Sequence, residues 1–197
     1  MAPMLLADRP PPSQLGPAVR KHLLEVARRS IEYGLRHHKP LPLDEPMSAG
    51  PLYEKRATFV TLHAAGALRG CIGVLEPIRP LIVDVAHNAY AAAFRDPRFP
   101  PVAAHEIDAL HIHISVLTAP QPLPPLSEQA AVALLRPGVD GLLLEAGHHR
   151  GTFLPAVWES LPEPAEFLRQ LKVKAGLSPD HWSDEIRLYR YTTESVS

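Results

Sequence analysis

The chain has 197 residues, with 20 Lys and Arg against 21 Asp and Glu, a formal net charge of −1 at pH 7 and a single cysteine. A chain of that length predicts one domain, or two small lobes sharing a core, burying about 70% of the surface its unfolded form exposes. The near-neutral balance counts against a dedicated nucleic-acid binder, the 46% hydrophobic content against global disorder, and the lone cysteine against an internal disulfide.

Residues 1–13 end in Pro10-Pro11-Pro12-Ser13 and read as a flexible N-terminal tail, too short in apolar residues for a signal peptide. Residues 14–197 read as a single domain. No apolar run reaches the length of a membrane span, and the protein is read as cytoplasmic with a reduced thiol. Between 17 and 37, Val19, Leu23, Leu24, Ala27, Ile31 and Leu35 recur at helical spacing and predict an amphipathic helix with a basic outer face. A Pro-rich loop follows over 39–51. Residues 58–74 read as a hairpin turning at Ala65-Gly66. Residues 79–94 form an Ala-rich helix whose small side chains predict close packing on a sheet, stopped at Asp96-Pro97. Residues 110–118 alternate strictly: His111, His113, Ser115 and Leu117 on one face, Ile112, Ile114 and Val116 on the other. A short helix over 127–135 has Ser127 as its N-cap. Strands are predicted at 141–145, 151–157 and 187–192, and a helix at 163–175 with Gly176 in the C′ position. This ordering predicts an α+β fold with a mainly antiparallel sheet flanked by helices.

The most informative segment is Leu68-Arg69-Gly70-Cys71-Ile72-Gly73. On a regular strand, Arg69, Cys71 and Gly73 share one face, while Leu68, Gly70, Ile72 and Val74 share the apolar one. Arg69, about 6.6 Å along the strand from Cys71, then brings its cation to the sulfur and favours the thiolate. Free cysteines are also among the most buried residues, so a structural Cys71 is the competing reading. Two hairpin registers fit: one places Val60 opposite Cys71, the other places Thr61 and His63 beside it, with His63 as a base. His111 and His113 at i, i+2 are short of a third metal ligand, so a polar strand face is preferred to a metal site. Asp96 and Arg98 bracket Pro97 and read first as a loop-ordering ion pair and second as substrate contacts. His37-His38 and His148-His149 read as exposed ends of elements. Trp158, Phe167 and Trp182 read as core anchors.

The run Leu68–Gly73 resembles the signature of the AMMECR domain, whose bacterial members are called AmmeMemoRadiSam system protein A. Further stretches are similar to that family in order: Phe59-Val60-Thr61-Leu62, Asn88-Ala89, Ala92 to Pro101, Ile114-Ser115-Val116-Leu117, Gly138-Val139-Asp140-Gly141, Gly151 to Pro155, Phe167-Leu168 and Lys174 to Leu177. The resemblance covers about residues 15–194. Two positions depart from it: Ala156 stands where relatives tend to have Gln or Ser, and His113 where many have an acid. The resemblance implies a domain of two unequal lobes with a cleft near the signature. It also implies two partners, a Memo-like protein related to extradiol dioxygenases and a radical S-adenosylmethionine enzyme. Their iron and S-adenosylmethionine are not assigned to this chain, which lacks a cluster-binding Cys triplet, and no cofactor or metal is expected of it.

Two functional readings follow. In the first, an enzyme or enzyme component uses Cys71 as nucleophile or covalent carrier, with Arg69 favouring the thiolate or holding an anionic substrate group and His63 or His113 as base. Ser115, Asp96 and Arg98 then orient a small acyl or carbonyl substrate, and the backbone around Gly70 and Gly73 stabilises an oxyanion. In the second, a non-catalytic module docks one of the partners or a peptide, and Cys71 is structural.

Overall fold

A computed structural model describes residues 15–43, 50–124 and 127–197. The expected tail at 1–13 and the centre of the Pro-rich loop lie outside the described residues. Two compact units divide the rest: 118–193, and 15–117 with 194–197.

In the larger unit, the helical spacing of 17–37 becomes α1 (Pro17–His37), which buries Leu23, Val26, Ala27 and Ile31. The hairpin is β1 (Thr58–Ala64) and β2 (Ala67–Gly73). Its turn residues Ala65 and Gly66 both have positive φ, 50° and 78°, the two-residue turn whose twist suits a hairpin. The Ala-rich helix is α2 (Leu81–Phe94). It starts two residues later than its periodicity predicts, because Pro80 takes the N-cap at φ −52°, ψ 143°. The alternating segment is β3 (Leu110–Leu117), preceded by a 3-10 turn over Ala104–Ala109. The sheet has the order β2-β1-β3-β8, where β8 is Thr193–Val196. One face of it buries Val60, Leu62, Ile114 and Val116 against Leu81, Val85, Ala89 and Ala92 of α2. Each of those sheet residues contributes about 1.5–3 kcal/mol through burial.

The other unit holds β4 (Gln121–Leu123), β5 (Gly141–Ala146), β6 (His149–Phe153) and β7 (Arg187–Tyr191), in the order β4-β7-β5-β6. Its helices are α3 (Glu128–Leu134) and α4 (Pro164–Lys174). Ser127 Oγ accepts from the Ala130 amide at 3.1 Å, as its N-cap position requires. Gly176, at φ 84°, closes α4: its amide reaches Val173 O and that of Leu177 reaches Lys172 O, both at 2.9 Å. Trp158 and Phe167 are buried and stacked, with centroids 3.7 Å apart and an interplanar angle of 4°.

The fold is α+β and antiparallel, as the element order predicts, but built on two sheets. The strand expected at 151–157 begins and ends earlier, because Pro155 has no N–H for a ladder and opens a 3-10 turn over Pro155–Glu159. His37, His38 and His148 are exposed as expected, whereas His149 is half-buried with Nδ1 3.1 Å from Ala175 O.

Candidate functional site

The site residues expected from sequence all fall in the larger unit. The hairpin register settles their placement. Thr61 lies opposite Cys71 and Val60 opposite Ile72. Thr61 also lies opposite His113, Phe59 opposite Ser115 and His63 opposite His111. On the face opposite α2, these pairings lay out two rows across three strands: Cys71, Thr61, His113 and Gly73, Phe59, Ser115.

A bulge interrupts the pattern. The register shifts at Leu62/His63, so that Gly70 faces Leu62, Leu68 faces His63, and Arg69 is the extra residue. Leu68 thereby leaves the apolar face assigned to it from sequence and is 41% exposed. Arg69 does not carry its cation to Cys71. Its Nε donates to Glu106 Oε1 at 2.7 Å and its Nη2 to Oε2 at 3.0 Å, a bidentate pair. Its Nη1 donates to Pro100 O at 2.9 Å. This pairing, aided by the Ala103 amide, holds the Glu106 carboxyl down at about 2.

The cation that contacts Cys71 is Arg98, and it does so through the backbone. Its Nε and Nη2 donate to Asp96 Oδ1 and Oδ2 at 2.9 and 2.7 Å, and its Nη2 also reaches Cys71 O at 3.3 Å. Asp96 Oδ2 in turn accepts the Cys71 amide at 2.8 Å. β2 is an edge strand, and this loop serves as its missing neighbour by taking both backbone groups of Cys71. The Arg98 hydrogen bonds, together with the Cys71 amide, hold the Asp96 carboxyl well below the usual carboxylate range. Arg98 is raised, chiefly by Asp96 and in small part by the charge of Cys71. The ion-pair reading of Asp96 and Arg98 therefore describes the geometry, with the added fact that the pair grips Cys71. Because its amide is occupied by Asp96, Cys71 offers no backbone N–H to an oxyanion.

Cys71 is half-buried, and its Sγ lies 3.2 Å from Thr61 Oγ1. His113, across β1 from it, is shifted downward by burial and, to a smaller extent, by the charge of His63. His63 is on the same face but opposite Leu68. Ser115 is 9% exposed, beside Phe59. Among the described residues, no group of three or more His, Cys, Asp and Glu could hold a metal ion. Both signature glycines have packing reasons. A Cβ on Gly70 would lie 2.1 Å from Ala92 O, and one on Gly73 would lie 2.3 Å from the Phe59 ring.

Sequence reasoning missed Glu106, which carries no periodic signal, and a buried network behind β1. Asp84, fully buried, accepts from the Thr58 amide (3.0 Å), Thr58 Oγ1 (2.7 Å), Asn88 Nδ2 (2.9 Å) and Arg79 Nη1 (3.0 Å). Burial raises its carboxyl, against the lowering by Thr58 and Arg79. The polar pair Asp84 and Asn88, at i, i+4 on an apolar helix, was the available signal.

The family model for AMMECR1 matches residues 24–196. The chain belongs to the AMMECR1 family. A protein of Methanothermobacter thermautotrophicus is 43% identical over 178 residues, covering 87% of this chain and 90% of the relative. One of Thermotoga maritima is 40% identical over 171 residues, covering 85% and 92%. The crystal structure of an uncharacterized protein from Pyrococcus horikoshii superposes with a TM-score of 0.82 at 35% identity, covering 92% of each chain. No helix among the described residues is long and apolar enough to cross a membrane.

Proposed function

We propose that this AMMECR1-family protein is a cytoplasmic thiol-dependent enzyme, or the thiol-bearing component of one, working through the face that carries Cys71, Thr61 and His113. The observation that carries the reading is the Cys71 thiol, half-buried and 3.2 Å from the Thr61 hydroxyl, on a residue whose backbone carbonyl Arg98 reaches at 3.3 Å. In this reading the thiol proton passes through the Thr61 hydroxyl to the His113 imidazole. The Cys71 sulfur bonds to the carbonyl carbon of a small acyl substrate, and the leaving group departs with the proton returned by His113. Hydrolysis of the thioester by water then restores the thiol. Arg98 takes the thiolate-stabilising role first given to Arg69, and Gly70 and Gly73 serve packing. The Memo-like protein and radical S-adenosylmethionine enzyme implied by the resemblance are the partners with which such a component acts.

The test is the rate of alkylation of the single cysteine against pH. Alkylation of the folded protein is expected, slowed by Arg98→Ala and unchanged by Arg69→Ala. A thiol that reacts only after denaturation overturns the reading. A second reading has its own support: Leu68 and Ile78 are exposed at 41% and 55%, and an apolar docking surface on a non-catalytic module needs such residues. There, Leu68→Ser weakens binding of the Memo-like protein or a peptide from it and leaves alkylation unchanged.

A further inference from the structure

The unit formed by 118–193 carries a cavity of about 350 Å³ that the Cys71 reading does not use. Its lining includes Thr118, Gln121, Arg136, Arg190 and Thr192, with no Asp or Glu among the described residues. Two guanidinium groups therefore meet in one concavity. Behind them is Asp140, whose side chain is fully buried. Asp140 Oδ1 accepts from Arg136 Nε at 3.0 Å and Nη2 at 2.7 Å, and Oδ2 accepts from the Arg136 amide at 2.9 Å. Arg190 Nη1 is 3.9 Å from Asp140 Oδ2 and 3.5 Å from Leu134 O. Among the described residues, one carboxylate, Asp140, thus faces the two guanidinium groups.

The geometry is pre-arranged. Asp140 is itself fixed by its place before β5 and by Trp158, whose Nε1 donates to Asp140 O at 2.7 Å. Arg190 lies on a central strand of the sheet, opposite Gln121 on β4 and Leu142 on β5. Its side chain stays 35% exposed, and among the described residues its Nε and Nη2 have no protein hydrogen-bond partner. The opposite wall is tied together, with the Thr192 amide donating to Thr118 Oγ1 at 2.9 Å and the Thr118 amide to Thr192 O at 2.9 Å. A rigid guanidinium fork with unused donors, in a concavity that two arginines line, matches the planar oxygens of a carboxylate or phosphate. The volume suits a small molecule.

We propose that this cavity binds a small molecule through a carboxylate or phosphate group, with Arg190 as the principal ligand-binding residue and Arg136 as the second cation. The site stands whether or not Cys71 is a nucleophile.

The experiment titrates the full chain with inorganic phosphate and, separately, citrate at constant ionic strength, by calorimetry. Saturable binding of at least one anion is expected, and the tighter of the two assigns the group. Arg190→Gln weakens it about tenfold or more, Arg190→Lys less so because it keeps the charge and loses the fork, and Lys21→Gln on the exposed face of α1 not at all. The proposal is overturned if neither anion saturates below roughly 10 mM, or if Arg190→Gln and Lys21→Gln behave alike. Should Arg190→Gln fail to fold, amide NMR of the unaltered protein decides. Anion-dependent shifts centred on Thr118, Gln121, Arg190 and Thr192 support the site, and shifts elsewhere or none overturn it.

Discussion

Gly70 provides the sharpest test of what the signature is for. It sits on the inner face of β2, directly beneath α2. A Cβ added there would lie 2.1 Å from Ala92 O and 3.1 Å from Ala92 C. An ordinary carbon–oxygen contact is about 3.3 Å or longer, so Gly70→Ala requires strand and helix to part by about 1.2 Å. Both obstructing atoms are backbone, and no side chain can swing aside. Overpacking typically costs about 1–3 kcal/mol, and a rigid backbone obstruction puts this one near the top of that range. In a chain of this size each kcal/mol lowers Tm by about 2–4 °C, so a drop of about 6–12 °C is expected. Far-UV circular dichroism during urea and thermal unfolding reads it, because both tryptophans lie in 118–193 and fluorescence would report on the other unit. A loss below about 1 kcal/mol would refute the packing account and return Gly70 to the list of substrate-contacting residues.

Other outcomes follow from the same region. Glu106→Gln removes the charge that Arg69 grips. Because the Glu106 carboxyl is held at about 2, below its ordinary 4.5, the stabilisation is full above 4.5 and lost as pH falls toward 2. The gap in urea midpoint between wild type and variant should close over that window, and a pH-independent gap would contradict the pairing. Asp96→Asn keeps the shape of the hook on Cys71 but loses its charge. It should lower stability by about 1–3 kcal/mol and speed hydrogen exchange at the Cys71 amide, and unchanged exchange there would discount the hook. Lys172→Met replaces a fully buried lysine whose Nζ lies 2.7 Å from a partly exposed Glu128. The expected change in urea midpoint is near zero or stabilising, and a loss above about 3 kcal/mol would show the pair to be a structural requirement.

Much of the architecture is legible because hydrophobic period and punctuation agree. Residues 17–37 carry a 3.6-residue apolar stripe with Pro17 at its start, and α1 spans those residues. Residues 110–117 alternate, and β3 buries Ile114 and Val116 while exposing His111. Elements of three or four residues carry too little period to be seen. β4 contains Pro122, which reads as loop, and β8 has only Thr193–Val196. The division into two sheets depends on which strands pair, and pairing between distant segments leaves no local trace.

The site shows the same limit in a single residue. From alternation alone, Arg69 and Cys71 share a face and Leu68 enters the core. The bulge at Leu62/His63 cancels that inference by one residue. Cys71 stays on the outer face because it follows the bulge and keeps register with Thr61. Leu68 precedes it and is turned outward to face His63. Arg69, the residue inserted between them, is released from the ladder and reaches Glu106. The bulge has a structural cause, since Gly70 must lie flat beneath Ala92 of α2 while Cys71 offers its amide to Asp96. A strand that is pressed by a helix on one side and gripped by a loop along its edge accommodates both by inserting a residue. The cation that grips Cys71, through its backbone carbonyl, therefore comes from the loop after α2, 27 residues along the chain at Arg98. Strand periodicity holds no information about it.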